Sequence, residues 1–214
     1  MYDKDRKDRG YRRQPRAEAP VPAEETEGQL EGRNAIAEAL KSGRTIDKLF
    51  IASGDTDKNL QRLAAQAKDA GAVIVPVDRR KLDAMSFTRS HQGVIALAAA
   101  HDYYTIDDIL EEAASRGEAP LIVICDELSD PHNLGAILRS AECAGAHGVI
   151  IPKRRSVGLT ATVAKASAGA MEYMKVARVT NISAAMQELK EKGVWIFGTA
   201  AEGAIPMYQA DLKS

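Results

Sequence analysis

From residue 121 onward the chain alternates short apolar runs with stretches of helical period. LIVIC (121–125) is apolar at every position, as a strand covered on both faces of a parallel sheet requires. Helical patterns follow at 133–144, 159–167 and 181–192, separated by strand-like runs at 147–151 (HGVII), 174–179 and 194–198 (VWIFG). The order βαβαβαβ predicts an α/β fold with right-handed crossovers, a parallel sheet and helices on its faces.

A smaller α/β unit of about 70 residues is expected before it, with folded sequence starting near Leu30. Gly32–Leu40 reads as a helix with Ile36, Ala37 and Leu40 on one face. IDKLFIA (46–52), 73–77 and 93–99 read as strands, 57–70 as a helix stopped by Gly71, and 78–85 as a short helix. A bridge at 101–119 holds a further helix, with Thr105 as N-cap and Ile106, Ile109, Leu110 and Ala113 as its apolar stripe. The expected organisation is a tail at 1–28, a first unit at 29–100, a linker and helix at 101–119, and a second unit at 120–214.

Composition narrows the function. Apolar residues make up 45% and charged residues 28%, and the net charge is −1, so the whole chain is not a basic nucleic-acid binder, although local patches remain open. The longest clean apolar run, 94–100, is far shorter than a membrane span, and the N-terminus lacks the apolar core of a secretory signal. Cys125 and Cys143 are read as reduced, packed thiols of a cytoplasmic protein, and no spacing among the cysteines and histidines fits a structural metal site. Residues 1–16 carry seven basic side chains against three acidic ones, whereas residues 17–28 carry acids only. Two readings stay open for this tail: a solvated disordered segment, or a basic arm that touches RNA phosphate.

The chemistry-bearing residues concentrate in 126–156. This segment leaves the carboxyl end of an apolar strand, the edge where open α/β sheets bind ligands. Asn133 is expected to cap the next helix. Arg139, six residues on and about 9 Å along the axis, falls off that helix's buried stripe and can grip a phosphate with its planar fork. Lys153, Arg154 and Arg155 follow the next strand and suit an RNA backbone; an ordinary solvated loop is the alternative. Ser167 and Gly169 lie in a small-residue turn that lets backbones approach closely, and Glu172 can orient an arginine or cap a loop. Gly198 and Thr199 can present amides and a hydroxyl to a ligand, but they form no G-x-G-x-x-G, and a P-loop is absent. His91 and Gln92 lie in a turn before a strand.

These residues resemble a known family. N-x-G-x-x-x-R (Asn133, Gly135, Arg139) and S-x-G-A-x-E (Ser167, Gly169, Ala170, Glu172) resemble signatures of the SpoU (TrmH-like) 2′-O-ribose RNA methyltransferases of the SPOUT superfamily. EGRNAIAEAL and SHQGVIA resemble that family's N-terminal substrate-binding domain. The resemblance implies a ribosomal-protein-like N-terminal domain, a SPOUT catalytic domain with a trefoil knot, S-adenosylmethionine as methyl donor, RNA as partner and a homodimer. It implies a guanosine of large-subunit ribosomal RNA as target. Carried over by motif, Arg139 activates the ribose hydroxyl and Asn133 supports it, Glu172 and Ser167 support the site, Gly198 and Thr199 lie near the cofactor, and Lys153, Arg154, Arg155, His91 and Gln92 face RNA. The family's G-[NS]-E-G loop and S-L-N segment do not occur in these residues, so the knot and cofactor pocket are expected to be incomplete in them. A non-catalytic RNA-binding protein on the same scaffold is the alternative; a small-molecule α/β enzyme fits less well, lacking a dinucleotide fingerprint.

Overall fold

The computed structural model describes residues 28–212, so the tail expected at 1–28 lies, apart from Gly28, outside the described residues. The first unit runs β1 (Gln29–Glu31), α1 (Arg33–Lys41), β2 (Ile46–Ala52), α2 (Lys58–Asp69), β3 (Val73–Val77), α3 (Arg79–Met85) and β4 (Val94–Ala98). Its strands are ordered β1-β4-β2-β3, with β2 and β3 parallel and β4 antiparallel to both its neighbours. Ile36, Leu60, Leu63 and Ala67 of α1 and α2 pack on one face of this sheet with Leu49 and Val94, while Leu82 of α3 covers Ile95 on the other. α2 starts where it does because Asp57 accepts the amides of Asn59 (2.8 Å) and Leu60 (3.4 Å).

The bridge is not a free tether. α4 (Ile106–Arg116) opens on a capping box between Thr105 and Asp108 and closes at left-handed Gly117. Its Ile109 is fully buried against the second unit's Gly148, where any Cβ would meet the isoleucine at under 3 Å. Tyr104 donates its amide to the Val176 carbonyl (2.9 Å), so the bridge also lines the outer edge of the second sheet.

The second unit runs β5 (Ile122–Ile124), α5 (Pro131–Cys143), β6 (Gly148–Pro152), α6 (Ala161–Ala166), a 3-10 turn (Ala170–Glu172), β7 (Lys175–Val179) and α7 (Ile182–Glu191). Its three strands are parallel in the order β5-β6-β7, as the alternation predicts. The fully covered strand is β6, however; β5, the continuous apolar run, lies at an edge and is half-buried. Residues 194–198 form no strand. Val194 and Ile196 pack inward onto the cluster of Leu189 and Ile150, and Trp195 and Phe197 point out, so the period-two facing survives without ladder hydrogen bonds. Alternation dictates facing, but a strand also needs an adjacent free edge, which the segment does not reach. Of the two free cysteines, Cys125 is buried, its thiol pushed up by burial, whereas Cys143 is exposed rather than packed. Among the described residues no helix is long and apolar enough to cross a membrane, and no cluster fit to hold a metal occurs.

Candidate active site

α5 leaves the carboxyl edge of the second sheet, and its first turn corrects one sequence expectation. The helix begins at Pro131, not Asn133, because Asp130 accepts the His132 amide (2.9 Å) and proline's fixed φ suits the first helical position. Asn133 is therefore already inside the helix, with its side chain exposed. Arg139 is also exposed and makes no hydrogen bond or ion pair among the described residues, so its five donors are available to a ligand.

Gly135 links the two signature motifs. A Cβ there would lie 2.8 Å from the Ala166 carbonyl carbon and 2.9 Å from the Ser167 nitrogen. Ser167 is fully buried; its hydroxyl donates to the Ala164 carbonyl (2.8 Å) and accepts the Met171 amide (3.4 Å). Ala168 and Gly169 take left-handed φ of 50° and 92°, which turns the chain into the 3-10 segment. Glu172, at the end of that segment, pairs with His101 Nε2 of the bridge (3.0 Å) and not with an arginine.

Lys153, Arg154 and Arg155 form the loop after β6. Arg155 (φ 55°) pairs with Glu127 (φ 52°) across the β5 and β6 loops at 2.9 Å. Among the described residues, non-glycine residues with left-handed φ occur at Arg89, Gln92, Glu127, Arg155 and Ala168; all but Arg89 fall in loops of the segments singled out above. Such backbone is held only where its surroundings over-determine it, and it clusters at functional sites. Arg154 is exposed and Lys153 half-buried.

In the first unit, His91 is buried; its ring contacts Asp83 through Nε2 (2.9 Å) and accepts the Gly93 amide at Nδ1 (3.1 Å). Both nitrogens are thus engaged in shaping the turn. Gln92 is exposed, and its side-chain carbonyl accepts the Arg33 amide (3.2 Å), joining the SHQGVIA turn to the start of α1. Glu31 braces the same turn. Burial works to raise its pKa, but donors from Thr88, Ser86, Phe87 and Gln29 outweigh it and hold the carboxyl at about 2.

Gly198 and Thr199 lie in the exposed, irregular segment after α7. A cleft of about 560 Å³ is instead lined by Arg44, Thr45, Ala100, His101, Asp102 and Ala161, where the two units meet. Sequence reasoning did not single out the most buried charged pair. Asp47 of β2 and Arg178 of β7 meet at 2.6 Å, each side chain 6% exposed. The one available signal was the presence of charged residues within two strands that otherwise read as apolar, Asp47 and Lys48 in β2 and Lys175 and Arg178 in β7.

The comparisons with known proteins agree with this anatomy. The "SpoU rRNA Methylase family" matches residues 120–214, and "RNA 2'-O ribose methyltransferase substrate binding" matches residues 29–104. A putative TrmH family tRNA/rRNA methyltransferase, YacO of Bacillus subtilis, is 50% identical over 79% of this chain and 68% of its own length. An uncharacterized tRNA/rRNA methyltransferase of Synechocystis is 39% identical over 93% of this chain and 53% of its own. The chain thus spans between about half and two thirds of these curated relatives. Among solved structures, an AdoMet-bound rRNA methyltransferase from Sinorhizobium meliloti superposes with a TM-score of 0.46 at 24% identity, over 87% of this chain and 66% of that one. The chain belongs to the SpoU (TrmH) RNA methyltransferase family.

Proposed function

We propose that the protein methylates a ribose 2′-hydroxyl of RNA, using S-adenosylmethionine, with a guanosine of large-subunit ribosomal RNA as its target, and that it works in the cytoplasm as a homodimer. One observation carries this reading: the Gly135–Ser167 contact joins both signature motifs and leaves Asn133 and Arg139 exposed, Arg139 without a protein partner.

An arginine guanidinium stays charged throughout the physiological range and is a poor base. The role of Arg139 is to fork onto an RNA phosphate and polarise the neighbouring 2′-hydroxyl, the proton leaving through that phosphate. Asn133, six residues nearer the sheet edge, supports the same substrate. Lys153, Arg154 and Arg155 bind backbone, and Gln92 extends the contact to the first unit; His91 holds the Gln92 turn from within. Glu172 and Ser167 fix the turn behind the site.

S-adenosylmethionine supplies the methyl group as a sulfonium whose leaving group is neutral. Gly198 and Thr199 are both exposed and line neither the cleft between the units nor the smaller one near Tyr104, so by themselves they do not enclose the cofactor. The test is methyl transfer by the protein to large-subunit ribosomal RNA, read by mapping 2′-O-methyl sites, with S-adenosylmethionine titrated into it calorimetrically alongside. A new guanosine 2′-O-methyl mark is expected. RNA binding with no transfer by the protein replaces this reading with a non-catalytic RNA-binding role.

A further inference from the structure

We propose that Asp47 is a positioning residue through which the first unit sets the Lys153–Arg155 loop of the second, so that both units meet RNA as one rigid surface. The proposal rests on the RNA reading above for its second half, but its first half is purely structural.

The observations form a closed chain of contacts. Asp47 lies in β2 of the first unit, and Arg178 lies 131 residues away in β7 of the second. Arg178 Nη1 donates to the Asp47 carboxylate (2.6 Å), and Nη2 donates to both the Asp47 carbonyl (3.1 Å) and the Lys153 carbonyl (3.3 Å). One guanidinium therefore holds the first unit and the start of the basic loop together. Its planar fork suits this bridging, which a lysine cannot reproduce.

The far end of the loop is linked to the same carboxylate through Tyr103. Tyr103 donates to Asp47 Oδ2 (3.1 Å), accepts the Leu159 amide (2.9 Å), and stacks its ring against Arg178 at 5.2 Å. Gly158 allows that closeness: a Cβ there would fall 2.7 Å from the Tyr103 hydroxyl and 2.8 Å from the Asp47 carboxyl carbon. Lys153 Nζ, meanwhile, reaches over to the Gly71 turn of the first unit. Lys153 and Leu159, the two ends of the loop, are thus linked to Asp47 through Arg178 and Tyr103, while Ser156 and Val157 tie its middle to the Leu128 carbonyl and Arg154 and Arg155 stay exposed. A buried ion pair left with one partner leaves an uncompensated charge, so this junction does not slide.

The experiment is hydrogen exchange on the protein, wild type against Asp47→Asn, followed by RNA binding across a salt series. Amides 153–159 are expected to exchange roughly tenfold faster in the variant, while α5 and the 3-10 turn keep their protection. Should Asp47→Asn fail to fold, Tyr103→Phe removes only the hydroxyl link and is expected to shift 157–159 in the same direction. Unchanged exchange over 153–159 in the folded variant overturns the proposal. In binding, the slope of log affinity against log salt is expected to fall by about 2, as for the loss of three phosphate contacts. Combining Asp47→Asn with alanine at Lys153, Arg154 and Arg155 then adds nothing further; additive losses overturn the coupling. If wild type binds no RNA, the functional reading fails while the exchange result still decides the junction.

Discussion

Gly135 of α5 and Ser167 at the end of α6 touch backbone to backbone, with no room for a Cβ between them. The contact explains why two motifs, separated by some thirty residues, act as one unit. Gly135→Ala forces the helices apart, and overpacking of this kind costs about 1–3 kcal/mol. Thermal melting is expected to show a lower midpoint, with methyl transfer reduced more than RNA binding. An unchanged melting curve is inconsistent with the close approach.

Arg155 is tied to Glu127, and both side chains are largely exposed; the proposed RNA contact of Arg155 requires this tie to yield. The pair therefore competes with phosphate for the guanidinium but is screened by water and salt. Glu127→Gln is expected to tighten RNA binding by up to roughly fivefold at low salt. The gain shrinks as salt rises. Equal affinity of variant and wild type at low salt contradicts the competition.

The second unit is legible in the sequence because its helices carry a 3.6 period and β5 and β6 are apolar runs. What escaped was of two physical kinds. Local competitors were misjudged: Asp130 followed by Pro131 caps α5 better than Asn133 does, and β1, three residues with one large aliphatic, shows no period at all. Non-local partners were invisible: nothing near Asp47 announces Arg178, and Glu172 was open to an arginine where His101 stands. Residues 194–198 show both sides. Their alternation correctly sets Val194 and Ile196 inward, yet strand formation depends on a neighbouring edge that no local pattern reports.

Glu31 makes stability pH-dependent. Its folded pKa of about 2 is depressed from 4.5, so its contribution is present above about pH 4.5 and lost as pH falls through 2. The donors are hydroxyls and amides, which do not themselves titrate there. Glu31→Gln is expected to lower the urea midpoint at pH 7, with the gap to wild type closing between pH 4.5 and 2. A gap independent of pH assigns the effect to shape rather than charge.

On the proposed mechanism, Arg139 separates binding from turnover. It is exposed, carries no intramolecular partner among the described residues, and sits six residues from Asn133 on the same helix. Arg139→Lys keeps a cation but loses the planar fork that can hold a phosphate and a hydroxyl at once. RNA affinity is expected to stay within a few-fold of wild type. Turnover is expected to fall by about 10²-fold or more, the scale of losing an oriented group at the reacting centre. Because the side chain is exposed and unpartnered, stability is expected to stay within about 0.5 kcal/mol of wild type. Single-turnover methyl transfer at saturating RNA, beside a melting curve, reads both. Wild-type turnover by Arg139→Lys removes the arginine from the chemistry and leaves it a phosphate contact.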